Sequence, residues 1–255
     1  MRAANPLKQA DIKTNIDQSG LVTSSQAGVH VHLEKTVRRH LDTRWLEPLH
    51  RATVAVYEQF ISTGIFSARN RFILDSGCGT GKSSKKLAGL FPCHMVIGVD
   101  RSRTRLAGNG MESGIFQHGN CILLRAELST FWRLLLKDGF RPERHFLLYP
   151  NPWPKSGHFK RRWHGHPVFP QMLALGGEIE LRCNWEIYAR EFAQAVGVAT
   201  GANIDTKKIK PEMAISPFER KYLERDQSLF SVIVPAQRTE SFRRSWISAN
   251  LVYPV

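Results

Sequence analysis

The chain is short of acid. Its 255 residues carry 22 Asp and Glu against 36 Lys and Arg, a formal net charge of +14 with histidine neutral. Such an excess suits a polyanionic partner, because each Lys or Arg that meets a phosphate releases a condensed counterion. A soluble protein with a basic surface and no such partner is the plainer alternative. Cysteine is also scarce. Cys78, Cys93, Cys121 and Cys183 are scattered, with no Cys-x-x-Cys pair, which argues against a zinc ribbon or a disulfide framework and fits a reducing cytoplasm. No apolar run approaches the roughly 18 residues of a membrane helix. The first twenty residues lack the apolar stretch of a secretory signal. Internal repeats and low-complexity tracts are absent, so neither a repeat array nor a fibrous chain is in view.

What is present is ordinary globular composition, 42% hydrophobic and 23% charged. A chain of this length buries a sizeable core as one large domain. Residues 1–30 show no sustained period and read as a mobile N-terminal extension. Residues 31–66 form a basic helical flank carrying Lys35, Arg38, Arg39, Arg44 and Arg51. Leu49, Thr53, Val56, Tyr57 and Phe60 make one helical stripe there, with Pro48 as an early helix residue. This helix either borders a cleft or simply packs with a solvated basic face. From residue 67 to 240 strands and helices alternate. Strands are expected at Phe72–Leu74, Met95–Val99, Ile122–Leu124, His145–Tyr149, Ile179–Cys183 and Leu229–Val234, with helices between them, including one over 102–111. That alternation predicts an α/β fold, a doubly wound and mostly parallel sheet with helices on both faces. Residues 241–255 read as a C-terminal tail.

The first chemical motif is Asp75-Ser-Gly77-Cys-Gly79-Thr-Gly81-Lys82-Ser83-Ser84, where the first strand meets its helix. Glycines there admit a tight turn and close approach of a ligand to the backbone. Three ligands compete for it. A dinucleotide needs GxGxxG, and the third glycine position holds Lys82. A nucleoside triphosphate needs GxxxxGK[ST]; Gly81-Lys82-Ser83 fits but Ser76 opens the pattern, and Asp75 would repel phosphates. S-adenosylmethionine carries a sulfonium, an ammonium and a carboxylate but no phosphate. An acid at the strand end suits its ammonium. A second acid, Asp100, ends the next strand, where a carboxylate accepts ribose hydroxyls. Asp75, the glycine turn and Asp100 together favour S-adenosylmethionine.

The second motif, Tyr149-Pro150-Asn151-Pro152-Trp153-Pro154-Lys155, leaves the fourth strand. Ligands of open α/β sheets bind at the carboxyl ends of strands. Three prolines within five residues pre-organise this loop. Asn151 offers a donor and an acceptor to a heterocycle's edge. Trp153 either stacks on a base or plugs the core, and Lys155 suits a phosphate. From Arg144 to Gly177 there is no acid, against five Lys/Arg and four of the ten histidines. Lys160, Arg161 and Arg162 interleaved with Phe159 and Trp163 match a nucleic-acid strand, charge for phosphates and rings for bases. A solvated loop is the plainer alternative. His164 and His166 lack a third metal ligand at sensible spacing.

These strings together resemble the TrmB-type tRNA (guanine-N7)-methyltransferases. The resemblance runs from about Phe72 to Val234 and rests on DSGCGTG, GVD, YPNPWPKxxHxKRR, LRCNWEIYAREF and SPFERKYLERDQSLF. It implies a class I, Rossmann-like methyltransferase fold, S-adenosylmethionine as cofactor, tRNA as partner, and methylation of guanine N7 in the variable loop. By position it implies that Asp75, Gly77, Gly79, Gly81, Asp100 and Glu127 bind cofactor, with Glu127 beside the adenine. Asn151 falls on the catalytic or base-orienting acid. Lys155, Lys160, Arg161, Arg162, Asn184, Ser216, Phe218 and Glu219 fall on substrate-binding positions. A monomer is the expected state. Asn151 and Asn184 depart from the family, which carries acids there. Guanine N7 is already a lone-pair nucleophile, so no base is required, yet an anion would stabilise the cationic product and an amide cannot. Asn151-Pro152-Trp153 also resembles the Asn-Pro-Pro-aromatic turn of methyltransferases acting on exocyclic amines, which keeps another target atom open; a catalytically silent tRNA-binding relative that retains the fold is a further alternative.

Overall fold

The computed structural model describes residues 21–67, 70–111 and 114–250. Its centre is a run of strands buried on both faces. β1 (Phe72–Ser76) is buried at every position, and β2 (Met95–Asp100) nearly so, the pattern of central parallel strands covered on both sides. β1 pairs in parallel with β2 and with β5 (Arg144–Leu148); β2 pairs in parallel with β4 (Cys121–Arg125), and β5 with β6 (Glu178–Cys183). β8 (Leu229–Val234) runs antiparallel to β6, and β7 (Thr206–Ile209) antiparallel to β8. With β3 (Ile115–His118) at the other edge, the order is β3-β4-β2-β1-β5-β6-β8-β7. The chain winds outward from β1 through β2 to β4, then returns to the other side of β1 for β5. That reversal makes the carboxyl ends of β1 and β5 a topological switch point, where such sheets bind ligands. The doubly wound, mostly parallel α/β sheet expected from the sequence is therefore present.

Alternate residues of β1, β2, β4 and β5 feed two cores. Phe72, Leu74, Leu147 and Leu181 join one cluster with α1 (Leu33–Asp42), α2 (Arg51–Ser62), α5 (Leu128–Lys137), α6 (Phe169–Ala174), α7 (Glu186–Thr200) and α9 (Ala236–Asn250). Ile73, Val96, Leu123 and Phe146 join the other, which includes Leu87 of α3 (Lys82–Leu90) and Leu106 of α4 (Arg103–Leu106). α8 (Pro217–Glu224) follows β7.

Several elements differ from the sequence reading. α2 starts at Arg51, capped by the His50 ring, which accepts from Thr53 N–H at 3.2 Å, so Pro48 lies before the helix. α2 is a packing helix: Tyr57 meets Phe131 edge-on and its hydroxyl donates to Asp138 at 2.7 Å. The helix expected over 102–111 is one turn, followed by a short 3-10 turn that ends at Gly110 with φ +68°. The tail expected from 241 is instead the body of α9, which anchors through Thr239 and Phe242, both buried. Residues 1–20 and 251–255 lie outside the described residues. Residues 21–30 are tied to the fold: Ser24 Oγ donates to Pro154 C=O at 2.6 Å, and His30 stacks on Phe159 at 4.3 Å.

Candidate active site

The glycine turn follows β1 directly. Gly77, Gly79 and Gly81 all have positive φ, +83°, +60° and +77°. Among the described residues nothing stands within 4 Å of a Cβ placed on Gly77, so the backbone there is open to a ligand. A Cβ on Gly81 would stand 2.4 Å from Leu123 Cδ1, so this glycine is fixed by packing. Beneath the turn Ser76 Oγ accepts from the Trp132 indole N–H at 3.0 Å and lies 2.7 Å from His145 Nε2. Burial pushes His145 down to about 3, so that ring is neutral.

Asp75 is completely buried. Its Oδ2 accepts from Ser83 Oγ at 2.6 Å and Ser84 Oγ at 2.7 Å, which fastens the start of α3 to the turn. Ser83 is the residue a triphosphate site would turn toward a metal, and here its hydroxyl points to Asp75. Among the described residues Asp75 Oδ1 has no hydrogen-bond partner. Burial raises the carboxyl to about 6 against the pull of the two serines. Asp100, at the end of β2, accepts from Gly79 N–H at 3.0 Å, Ser102 N–H at 2.8 Å and Arg105 Nη1 at 3.2 Å. Glu127, two residues past β4, is the N-cap of α5 and accepts from Ser129 N–H at 2.8 Å and Thr130 N–H at 2.7 Å. Burial works to raise its pKa, but these bonds outweigh it and hold the carboxylate below its usual range. The side chain expected beside an adenine is thus committed to a helix cap.

The loop after β5 is bent at both ends. Tyr149 and Trp153 have φ of +53° and +46°, a region that non-glycine residues rarely enter, and Asn151 sits midway between them. Each end is held by a buried carboxylate. Tyr149 N–H donates to Arg182 C=O at 2.7 Å, and its hydroxyl donates to Glu219 Oε1 at 2.8 Å. Trp153 C=O accepts from Arg162, whose Nη1 pairs with Glu191. Asn151 is exposed, and its Oδ1 accepts from Trp153 N–H at 3.3 Å.

The basic tract divides. Lys155, Lys160 and Arg161 are exposed, and the Arg161 guanidinium lies over the Trp153 ring at 4.7 Å. Arg162 is completely buried, so its expected contact with a nucleic acid is corrected: it is a structural clamp. Glu191 receives Arg162, His164 Nε2 at 2.8 Å, Gln26 Nε2 at 2.5 Å and His30 N–H at 2.9 Å. Burial favours its neutral form, but His164 and Arg162 outweigh that and bring it to about 2. The rings expected to stack on bases are corrected too. Phe159 is buried against His30, and Trp163 packs on Trp132 at 4.7 Å. Trp153 remains half-buried at the surface.

Ser216, Phe218 and Glu219 also divide. Ser216 is the N-cap of α8, its Oγ accepting from Glu219 N–H at 3.1 Å, and Pro217 takes the first helical position. Glu219 is completely buried and accepts from Ile215 N–H at 2.6 Å and Arg182 Nη1 at 3.0 Å. Both are corrected to positioning roles, and Phe218 is the exposed member of the three. Ser-Pro-x-Glu is itself a helix-start signal, so the cap was readable. Arg182, which joins Glu180 and Glu219, was missed; nothing in its strand marks it. Asn184, at the end of β6, donates to Gln227 Oε1 at 3.1 Å and lines a cavity of about 550 Å³ with Leu21, Arg225 and Asp226. A cavity of similar size, about 580 Å³, between α1, α7 and the segment before β7 contains none of the expected site residues. Among the described residues no three His, Cys, Asp or Glu side chains are grouped to hold a metal, and no helix is long and apolar enough to cross a membrane.

Residues 69–232 match a protein family described as "Putative methyltransferase". The chain is similar to the tRNA (guanine-N(7)-)-methyltransferase of Pseudoalteromonas atlantica, at 25% identity over 197 residues, 74% of each chain. It is similar to the protein of the same name from Burkholderia mallei, at 22% identity over 240 residues, 90% of this chain and 84% of that one. Among solved structures, an antibiotic-related methyltransferase is similar with a TM-score of 0.48 at 17% identity, over 76% of this chain and 97% of its own.

Proposed function

The chain belongs to the methyltransferase family that its residues 69–232 match, and on that premise we propose that it transfers a methyl group from S-adenosylmethionine to N7 of a guanine in tRNA. The observation that carries the reading is the placement of Asn151. It stands at the carboxyl end of β5, adjacent in the sheet to β1 and its glycine turn, between two residues held in the left-handed region. The names of the similar proteins supply the substrate class.

The residues present suit the cofactor. Asp75 Oδ1 is a buried acceptor without a partner among the described residues, which an ammonium would satisfy. Gly77 leaves the backbone open beside it, and Asp100 lies at the end of the next strand. The bound cofactor supplies an electrophilic methyl on a sulfonium. The protein's own task is to place a base in line with that methyl and exclude other geometries, which is worth several kcal/mol when reacting groups are held in contact. Asn151 orients the base through its amide. Glu219 and Arg162 act at one remove, by fixing Tyr149 and Trp153. Lys155, Lys160 and Arg161 hold phosphates, and Phe218 supplies an exposed ring.

Asn151 and Asn184 support a second reading, in which another base or an exocyclic amine is the target, because a neutral amide does not stabilise a cationic purine. One experiment separates the two. The protein is incubated with labelled S-adenosylmethionine and unmodified tRNA, and the modified nucleoside is identified by mass spectrometry. N7-methylguanosine supports the first reading and any other methylated nucleoside the second. Cofactor binding without transfer points to a silent RNA-binding relative.

A further inference from the structure

We propose that Arg105 is a latch on the cofactor's ribose site, displaced when cofactor binds and then released to an RNA phosphate. The inference rests on the proposed cofactor. It begins with acceptor counting. A carboxylate has about four lone-pair sites. Three of those on Asp100 are taken, by the backbone N–H groups of Gly79 and Ser102 and by Arg105 Nη1. A ribose diol needs two acceptors. The backbone bonds belong to the glycine turn and to the cap of α4, and the Asp100 side chain is only 6% exposed, so neither can readily yield. Arg105 is the removable partner: its side chain is 54% exposed, on a helix of one turn. Its stem also covers the turn, since a Cβ on Gly79 would stand 3.9 Å from Arg105 Cδ. With Arg105 gone, about two acceptor sites open.

The displaced guanidinium has a use. Arg101, Arg103 and Arg105 are exposed within five residues, and from 101 to 111 there is no acid. While it pairs with Asp100, Arg105 is neutralised. Once freed, it joins two other exposed arginines just past the carboxyl end of β2 and adds one cation to a surface suited to a polyanion. Cofactor and RNA are then coupled through one side chain, and linkage requires each to strengthen the other equally.

The test uses the full chain, the product S-adenosylhomocysteine, so that no transfer occurs, and an unmodified tRNA transcript. Calorimetry on wild type, Arg105→Ala and Arg105→Gln gives ligand affinity. Removing an exposed competitor should tighten binding by about two- to fivefold in both variants. Salt titrations give the second arm: wild-type tRNA binding should have a steeper log–log slope with ligand than without, by up to about one unit, and the variants should show no change. Unchanged or weaker ligand binding by the variants overturns the latch, as does a wild-type slope indifferent to ligand. If wild type itself binds no ligand, the cofactor reading fails and takes the latch with it.

Discussion

Arg162 donates two hydrogen bonds to the carbonyl of Trp153, from Nε at 3.2 Å and from Nη2 at 3.0 Å. Its remaining arm pairs with Glu191, with both side chains completely buried. The guanidinium fork thus ties α7 to the loop that carries Asn151. Breaking such a pair strands a buried charge, at a cost of about 3–5 kcal/mol. Arg162→Ala should therefore lose much of its stability in denaturant unfolding. Arg162→Lys keeps the charge but not the fork. It should remain folded while turnover falls and cofactor affinity holds.

The same carboxylate predicts an acid limit. Glu191 lies at about 2, below its ordinary 4.5. A depressed acid stabilises the fold fully above its unfolded pKa and loses that contribution as pH falls toward the folded value. The window is therefore about pH 4.5 down to about 2, and the contribution is on the order of 3 kcal/mol. Thermal unfolding in this range should show a steeper loss in the wild type than in Glu191→Gln, which starts lower at neutral pH and changes less.

Asp75 has the opposite sign. Its carboxyl is raised to about 6 from an ordinary 3.8, so between these values the folded state binds more protons than the unfolded one. Stability falls as pH rises through that window, and at pH 7 the ionised group costs roughly 3 kcal/mol. Asp75→Asn keeps an acceptor for Ser83 and Ser84 without the charge. Its melting temperature at pH 7 should rise by several degrees, given about 2–4 °C per kcal/mol for a chain of this size. S-adenosylmethionine affinity should drop, since the buried anion offered to the ammonium is gone. A variant that is no more stable than wild type at pH 7 would show that the charge is compensated.

The sheet and the two strand-end motifs were legible because local signals sufficed. Apolar runs such as Phe72–Leu74 and the glycines after them are read within a dozen residues. β3 was missed although Gly119-Asn120 between two apolar segments is a hairpin signal, and the two strands do pair across it. What local reading cannot give is burial decided at a distance. Lys160, Arg161 and Arg162 are three equivalent charges in sequence. Only the fold brings Glu191, 29 residues later, against the third of them. Glu219 likewise falls on a substrate-binding position by resemblance, and only the fold brings Tyr149, 70 residues earlier, against it. The plainest residues in the tract thus proved to be the loop's supports.

That division sharpens the RNA prediction. Lys155, Lys160 and Arg161 are the exposed cations of the tract. Replacing all three by alanine should weaken tRNA binding and flatten its salt slope by about 2–3 units if each meets a phosphate. Cofactor affinity should not move. An unchanged slope would identify the tract as a solvated loop.

Asn151 is the residue on which the target atom turns. It is exposed, midway between Tyr149 and Trp153, and the loop's two clamps fix where its amide lies. If that amide orients the base, Asn151→Ala should lower turnover by about 10²-fold or more, the scale of loss when a positioning or electrostatic group is removed. Affinity for S-adenosylmethionine should change little, because Asp75 and Asp100, the acids proposed for the cofactor, lie on β1 and β2. Asn151→Asp is the sharper variant, since it restores the acid that the TrmB-type enzymes carry. Methylation at N7 builds positive charge on the purine. If that charge limits the rate, Asp should match or exceed the wild type on tRNA. If the site is built around a neutral amide for another base or an exocyclic amine, Asp should be slower, because it loses the N–H donor and adds a charge with nothing to stabilise. Full activity in Asn151→Ala would place the reacting base elsewhere.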